Sequence, residues 1–253
     1  MVARHALLLF LASALGAQTV LENTGKPMEL PFDCTAADSE AFGLSCSEEH
    51  PCPVYLELSG VDAAGDKVFL AGNLHAPSAT MYSVLLASED AGKTWAEPLP
   101  RMKSTGFDQI QFLDFGTGYI SGANLATAPR DPFLFATTDG GKTWQQRAVF
   151  EEGRVASIER FRFDSPNVGL MLIDARLDNG RYELYQTING GESWTSTQSS
   201  EKPIAFPQKA GAAAPSLRIR ADAATHSYAV ERIGGERGQA VARFAINVGA
   251  CKE

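Results

Sequence analysis

Several things are missing from this 253-residue chain, and each absence excludes a class of protein. Beyond its first residues no apolar run approaches the roughly 20 that a membrane helix needs. Lys and Arg number 22 against 30 Asp and Glu, a net charge of −8, and the basic residues form no cluster. A nucleic-acid backbone as partner is therefore excluded, since it requires grouped positive charge. There is no H-E-x-x-H pair and no G-x-S-x-G elbow, so zincin and α/β-hydrolase chemistry have no foothold. The four cysteines (Cys34, Cys46, Cys52, Cys251) lack the C-x-x-C spacing of a structural zinc site, and no metal or cofactor is expected. No 3.6-residue periodicity runs through residues 18–253, which argues against a helical protein. What remains is ordinary globular composition, 44% hydrophobic and 21% charged, enough for a real core.

The first residues read as a secretory signal: Arg4 is a short positive region, Ala6 to Leu15 an apolar stretch, and Gly16 and Ala17 are small. Cleavage is expected after Ala17, with Ala14 the alternative. Export to a periplasmic or extracellular space follows, and there an even number of cysteines forms disulfides by default.

The chain contains an internal repeat. Ser88-Glu-Asp-Ala-Gly-Lys-Thr-Trp95, Thr137-Thr-Asp-Gly-Gly-Lys-Thr-Trp144 and Thr187-Ile-Asn-Gly-Gly-Glu-Ser-Trp194 end on its only three tryptophans, 49 and 50 positions apart. Ile110 and Phe112 precede Gly118 as Phe161 and Phe163 precede Gly169. Each segment has the chemistry of a hairpin turn: Asp or Asn bonds backbone N–H groups, Gly takes positive φ, and the hydroxyl residues add local bonds. Trp then opens the next strand and packs between units. The middle unit reads as strands at Gln109–Phe112, Tyr119–Gly122, Phe133–Thr137 and Trp144–Val149. Four short strands per unit fit a propeller blade.

These segments resemble the Asp-box, or bacterial neuraminidase repeat, Ser/Thr-x-Asp-x-Gly-x-Thr-Trp. Ser88, Asp90, Gly92, Thr94 and Trp95 match it, as do Thr137, Asp139, Gly141, Thr143 and Trp144. The third copy keeps Gly191 and Trp194 but has Asn189 and Ser193. Residues 54 to 200 are thus similar to sialidases, sortilin-type receptors and photosystem II stability/assembly factors. The resemblance implies an all-β propeller with the boxes on outer hairpins, structural and remote from the binding face. Three blades come from the repeats. Leu217–Ala221, Tyr228–Ile233 and Val241–Val248 give three strands of a fourth, completed by a strand near Met28 to Phe32; five blades is the alternative, and residues 203–215 form a linker. The domains are a signal peptide (1–17), a disulfide-bearing segment contributing a closing strand (18–53) and the propeller (54–253).

The face opposite the boxes then carries His75, Arg101, Arg130, Asp131, Glu151, Glu152, Arg154, Arg176 and Arg181. Of these, His75, Arg101, Arg130, Asp131, Arg154 and Arg181 are the ligand-binding candidates, because Arg forks and carboxylates suit an anionic or sugar ligand. Catalytic residues are not expected. A sialidase would show a Phe/Tyr-Arg-Ile-Pro motif, to which Pro129-Arg130-Asp131-Pro132 bears only a superficial likeness, and other glycosidases need two flanking carboxyls. The expected function is a non-enzymatic binding or assembly module whose partner is another protein or a glycan; the alternative is a sialidase-like glycoside hydrolase. For the cysteines, a short Cys46–Cys52 bridge and a Cys34–Cys251 latch across the closing blade are expected, with Cys34 to Cys46 or Cys52 the other possibilities.

Overall fold

The computed structural model describes residues 19–126, 131–208, 216–234 and 239–252. The expected signal peptide, Arg130, Gly235 and residues 209–215 of the expected linker lie outside the described residues.

In chain order, β1 (Leu21–Glu22) and helix α1 (Ala36–Phe42) precede β2 (Cys52–Ala64), β3 (Lys67–Ala76) and β4 (Ala79–Ser88). Two short strands, β5 (Thr94–Trp95) and β6 (Met102–Lys103), lead to β7 (Thr105–Phe112), β8 (Gly118–Asn124), β9 (Asp131–Thr137) and β10 (Gln145–Ala148). Next come β11 (Ser157–Phe163), β12 (Gly169–Ala175), helix α2 (Arg176–Asn179), β13 (Arg181–Thr187) and β14 (Thr195–Ser200). The chain ends with β15 (Leu217–Asp222), β16 (Ser227–Arg232), β17 (Gln239–Ala245) and β18 (Asn247–Cys251).

The strands form small antiparallel sheets in a propeller-like, all-β arrangement. The first sheet has the order β18-β2-β3-β4-β6, the second β7-β8-β9-β10, the third β11-β12-β13-β14 and the last β15-β16-β17, with β1 and β5 paired separately. Second strands such as β3 and β8 are buried almost end to end, whereas the outer strands β10 and β14 are exposed. Burial on both faces is what near-continuous apolar runs such as Val68–Leu74 demand, so the first sheet is covered on both sides. Apolar clusters join the first sheet to the second (Ala71 and Leu85 with Phe107 and Phe133) and the second to the third (Tyr119 and Leu134 with Phe161 and Met171). The largest joins the first sheet, Met28 and Leu30 to Leu217, Val230 and Phe244 of the last. Among the described residues no cluster joins the third sheet to the last; Ile204 and Phe206 instead cover Leu172, Tyr182 and Leu184.

Side-chain amides stitch two of these seams. Asn73 both donates to Phe107 O (2.9 Å) and accepts from Phe107 N (2.7 Å), and Gln111 does the same with Phe163 (2.9 and 2.8 Å). Such an amide satisfies a strand's N–H and C=O just where no neighbouring strand is present to do so.

The three repeated turns are built alike. Asp139 Oδ1 accepts from Thr143 N (2.9 Å), Thr143 Oγ1 donates to Asp139 Oδ2 (2.6 Å), and Thr137 Oγ1 accepts from Gly141 N (3.0 Å). Asp90 and Ser88 repeat these contacts. Gly141, at φ 84°, lies so close to the first sheet that a Cβ would meet Phe69 at 2.7 Å. In the same way the third turn docks on Leu134 of the second sheet and the first turn on Val241 of the last.

Several expected boundaries shift. The strand expected to open on Trp144 starts one residue later, as does that after Trp194. The stretch Met28–Phe32 makes one parallel bridge, Met28 with Phe244, and β1 pairs with the first turn instead. Val241–Val248 is not one strand: it breaks at Ile246, and β18 crosses to pair with β2, because Ile246 donates to His226 O and accepts from Leu56 N. Helix α1 was not expected at all; Thr35 and Asp38 form a reciprocal capping box and Gly43 ends it. Cys34 is bonded to Cys251 and Cys46 to Cys52.

Candidate functional site

Strands β4, β9 and β13 each run into a repeated turn, so the connections that enter them lie at the opposite end of each sheet. At that end of the first sheet is a cavity of about 680 Å³. Its walls are the β3–β4 turn, the end of α1, and Ser104, Leu125 and Ala126. His75 and Thr80 face one another across this hairpin beside a register shift at Leu74. Thr80 Oγ1 lies 3.0 Å from His75 Nδ1, and His75 Nε2 lies 2.7 Å from Glu57 Oε2. The His75 bond holds the Glu57 carboxyl below its ordinary range, against the opposing pull of burial and with help from Asn73. The result is a hydroxyl–imidazole–carboxylate chain at the edge of a cavity otherwise lined by Phe42, Pro77 and small residues. Both imidazole nitrogens are used within this chain, so the group left to meet a bound polar group is the Thr80 hydroxyl, held in place by His75.

Helix α1 is anchored beside this cavity. Asp38 accepts from Tyr82 Oη, Thr35 and Lys103, and Lys103 also lies 5.2 Å from the Phe42 ring centre. Burial alone would raise the Asp38 carboxyl; these hydrogen bonds outweigh it and bring it down to about 2. Burial and the same bond push Tyr82 up to about 12.

The other candidates do not converge on His75. Arg101 grips Glu97 with two bonds (2.7 and 2.8 Å), donates to Pro31 O and lies over Phe32, tying the N-terminal segment down. Asp131 opens β9 opposite Asn124 and is exposed. Arg181 donates to Ser199 Oγ (2.8 Å) within its own sheet. Arg154 belongs to a tighter group: it donates to both oxygens of Glu183 (2.9 and 3.2 Å) and to Asp178, and stacks on Phe150. Tyr185 donates to Glu183 at 2.8 Å, and Asn179 donates as well. Burial pushes Glu183 up, but Arg154, Asn179 and Tyr185 together hold it at about 2. Glu57, Thr80, Glu183 and Tyr185 were missed because their roles depend on cross-strand register, which the sequence does not carry. Among the described residues no group of three or more His, Cys, Asp or Glu side chains is placed to hold a metal ion. Among the same residues no helix is long and apolar enough to cross a membrane.

No family model matches the chain, and no curated protein matches it. Solved structures similar to it include the GH74 xyloglucanase of Xanthomonas campestris, 20% identical over 51% of this chain and 19% of that one (TM-score 0.38). The α-L-arabinofuranosidase Arb93A of Fusarium graminearum, with an iminosugar inhibitor, is 14% identical over 88% and 63% (TM-score 0.42). YCF48 bound to a D1 peptide is 16% identical over 90% and 58% (TM-score 0.37). The chain thus matches less than two thirds of the length of each.

Proposed function

We propose that this chain is an exported, non-enzymatic binding or assembly module built on a four-bladed propeller with Asp-box turns. The ring reading is supported by how the turns dock: the second on the first sheet, the third on the second, and the first on the last sheet. Residues 54–253 are the ring and residues 18–53 close it. Met28 extends the edge of the last sheet, and the Cys34–Cys251 bond latches the two ends of the chain. Export is supported by the two disulfides and by the signal-like first 17 residues.

The observation that carries the binding reading is the cavity beside His75, roomy enough for a peptide turn or a sugar unit and edged by a fixed polar chain. Its ligand is a segment of another protein or a glycan. Thr80→Trp fills the cavity from its rim. Pull-down from the native exporting cell and a glycan array should both lose the partner with this variant. A partner retained equally well by Thr80→Trp moves binding elsewhere and sinks the reading.

One observation favours the alternative, a sialidase-like hydrolase: Tyr185 donates to Glu183 beside Arg154, the Tyr–carboxylate pairing that such enzymes use for their nucleophile. In this chain Glu183 is 7% exposed and is bonded to three side chains, a structural arrangement. A fluorogenic sialoside decides between them. Turnover abolished by Tyr185→Phe would install the hydrolase reading.

A further inference from the structure

A second, separate pocket of about 270 Å³ opens between β7 and β11, the first strands of neighbouring sheets. It is lined by Gln109, Gln111, Arg160, Arg162, Phe206 and Gln208, with Ile110 and Phe161 beside them. Its two arginines do different work. Arg162 is spent: it grips both oxygens of Asp164 and donates to Pro207 O, holding the 206–208 segment against β11. Arg160 is exposed, lies 5.8 Å from the centre of the Phe206 ring, and has no carboxylate partner among the described residues. By contrast Arg218 and Arg220, on the first strand of the last sheet, are both paired to Glu231. An unpaired guanidinium steadied by an aromatic ring is a preformed fork for a carboxylate.

The neighbouring amides add a second requirement. Gln109 donates one N–H to Glu159 O (3.1 Å) and Gln208 one to Phe206 O (3.3 Å), so each amide keeps its carbonyl oxygen and a second N–H for a ligand. Gln111 spends its oxygen and one N–H on Phe163 and chiefly shapes the wall. A fitting ligand therefore presents one carboxylate together with hydroxyl donors, within a volume of one small ring. We infer that this pocket binds a uronic-acid unit of an acidic glycan, with Arg160 on the carboxylate and Gln109 and Gln208 accepting from ring hydroxyls. A peptide carboxylate satisfies the arginine, but its backbone N–H and C=O groups each match only half of what a side-chain amide offers, whereas a ring hydroxyl donates and accepts at once.

The test uses the full secreted protein with trigalacturonate, neutral trigalactose and a glutamate-rich peptide as probes, read by calorimetry. Trigalacturonate should bind and weaken as salt rises, while the neutral sugar should not bind. Arg160→Ala should weaken it by about tenfold or more, and Arg160→Lys, which keeps the charge without the fork, should not restore it fully. Arg243→Ala, on the last sheet and paired to Asp222, should leave it unchanged. No binding of trigalacturonate, equal affinity for the neutral sugar, tighter binding of the peptide, or indifference to Arg160→Ala would each overturn the assignment. Thr80→Trp separates this site from the cavity beside His75: uronate binding should survive it even where partner capture is lost.

Discussion

The first and third repeated turns share a sequence plan but not an environment. Trp95 is 1% exposed: β1 pairs with β5 across it, Phe244 of the last sheet meets it edge-on at 5.2 Å, and its indole N–H donates to Gly92 O. Asn23 further clamps this turn to the last sheet, donating to Gly92 O and Val241 O (both 2.8 Å). Trp194 is only half-buried, rests on Phe163, and its indole N–H has no partner among the described residues. Trp144 is also half-buried, yet its indole donates to Gly141 O. A repeat motif thus specifies the local turn, while its energetic weight comes from what the rest of the chain lays over it. The first turn is heaviest because the N-terminal segment and β17 of the last sheet both close on it.

At the opposite end of the first sheet, the bond that ties the N-terminal segment to β18 predicts the largest effect. The Cys34–Cys251 bond spans 217 residues, and in the chain-entropy model its loss costs about 5 kcal/mol as an upper figure. The double variant Cys34→Ser/Cys251→Ser should melt far lower, whereas Cys46→Ser/Cys52→Ser, which opens a separation of six, should cost about 2 kcal/mol. Equal losses would mean that the long bond restrains the unfolded chain no more than the short one does.

Removing the tryptophans tests the ranking directly. Trp95→Ala should cost about 3–5 kcal/mol, the usual range for a buried large aromatic. Trp144→Ala and Trp194→Ala, at less fully covered positions, should each cost less than Trp95→Ala. Denaturant melts of the three variants suffice, and equal values would erase the distinction between the turns.

A subtler contrast separates the second turn from the third. Asp139 is held at about 2, first by Thr143 Oγ and then by the Thr143 backbone N–H. A folded-state value below the unfolded one means the contribution is complete above the unfolded value near 4 and is lost as pH falls toward 2. Asn189 cannot titrate, and its amide reverses the bond by donating to Ser193 Oγ. Asn189→Asp with Ser193→Thr should therefore raise the melting temperature at neutral pH and add acid sensitivity. Asp139→Asn should remove part of the acid sensitivity already present. Glu183 and Asp38, also held near 2, supply the background slope, which neither variant should change.

The repeat was legible because turn chemistry is local: Ser88, Asp90 and Thr94 bond one another within seven residues. The recurrence of Phe163 before Gly169 was legible as spacing, whereas their pairing across β11 and β12, with the ring over the missing side chain, emerges only from the register. Helix α1 carried a readable signal in Thr35, Asp38 and Gly43, too short to register as periodicity. The break at Ile246 had none, since it depends on a hydrogen bond to β2, some 190 residues away. The rim was legible only as a list of charged residues. Which of them are spent on local partners, as Arg101 is on Glu97 and Pro31, depends on loop paths that no spacing encodes.

The smallest effect concerns one backbone position. Gly140 and Gly190 sit at φ 73° and 74° in the second and third turns, and the first turn places Ala91 there at φ 60°. Left-handed backbone costs a residue with a Cβ about 1–2 kcal/mol, while glycine carries an entropic cost of about 0.5–1 kcal/mol in the unfolded chain. The Ala91 side chain is exposed, so Ala91→Gly sacrifices no packing, and the bond from Ala91 N to Asp66 O (2.8 Å) uses only backbone atoms. The strain relieved exceeds the entropy added, and Ala91→Gly should stabilise the protein by about 0.5–1 kcal/mol. The reverse change at the second turn is not symmetric. A Cβ on Gly140 would lie 2.6 Å from Phe115 O, so Gly140→Ala adds a clash with backbone to the strain and should cost more than Ala91→Gly gains. Melts of the two variants at neutral pH check both signs; a lower melting temperature for Ala91→Gly would mean that the enclosed first turn tolerates its alanine without strain.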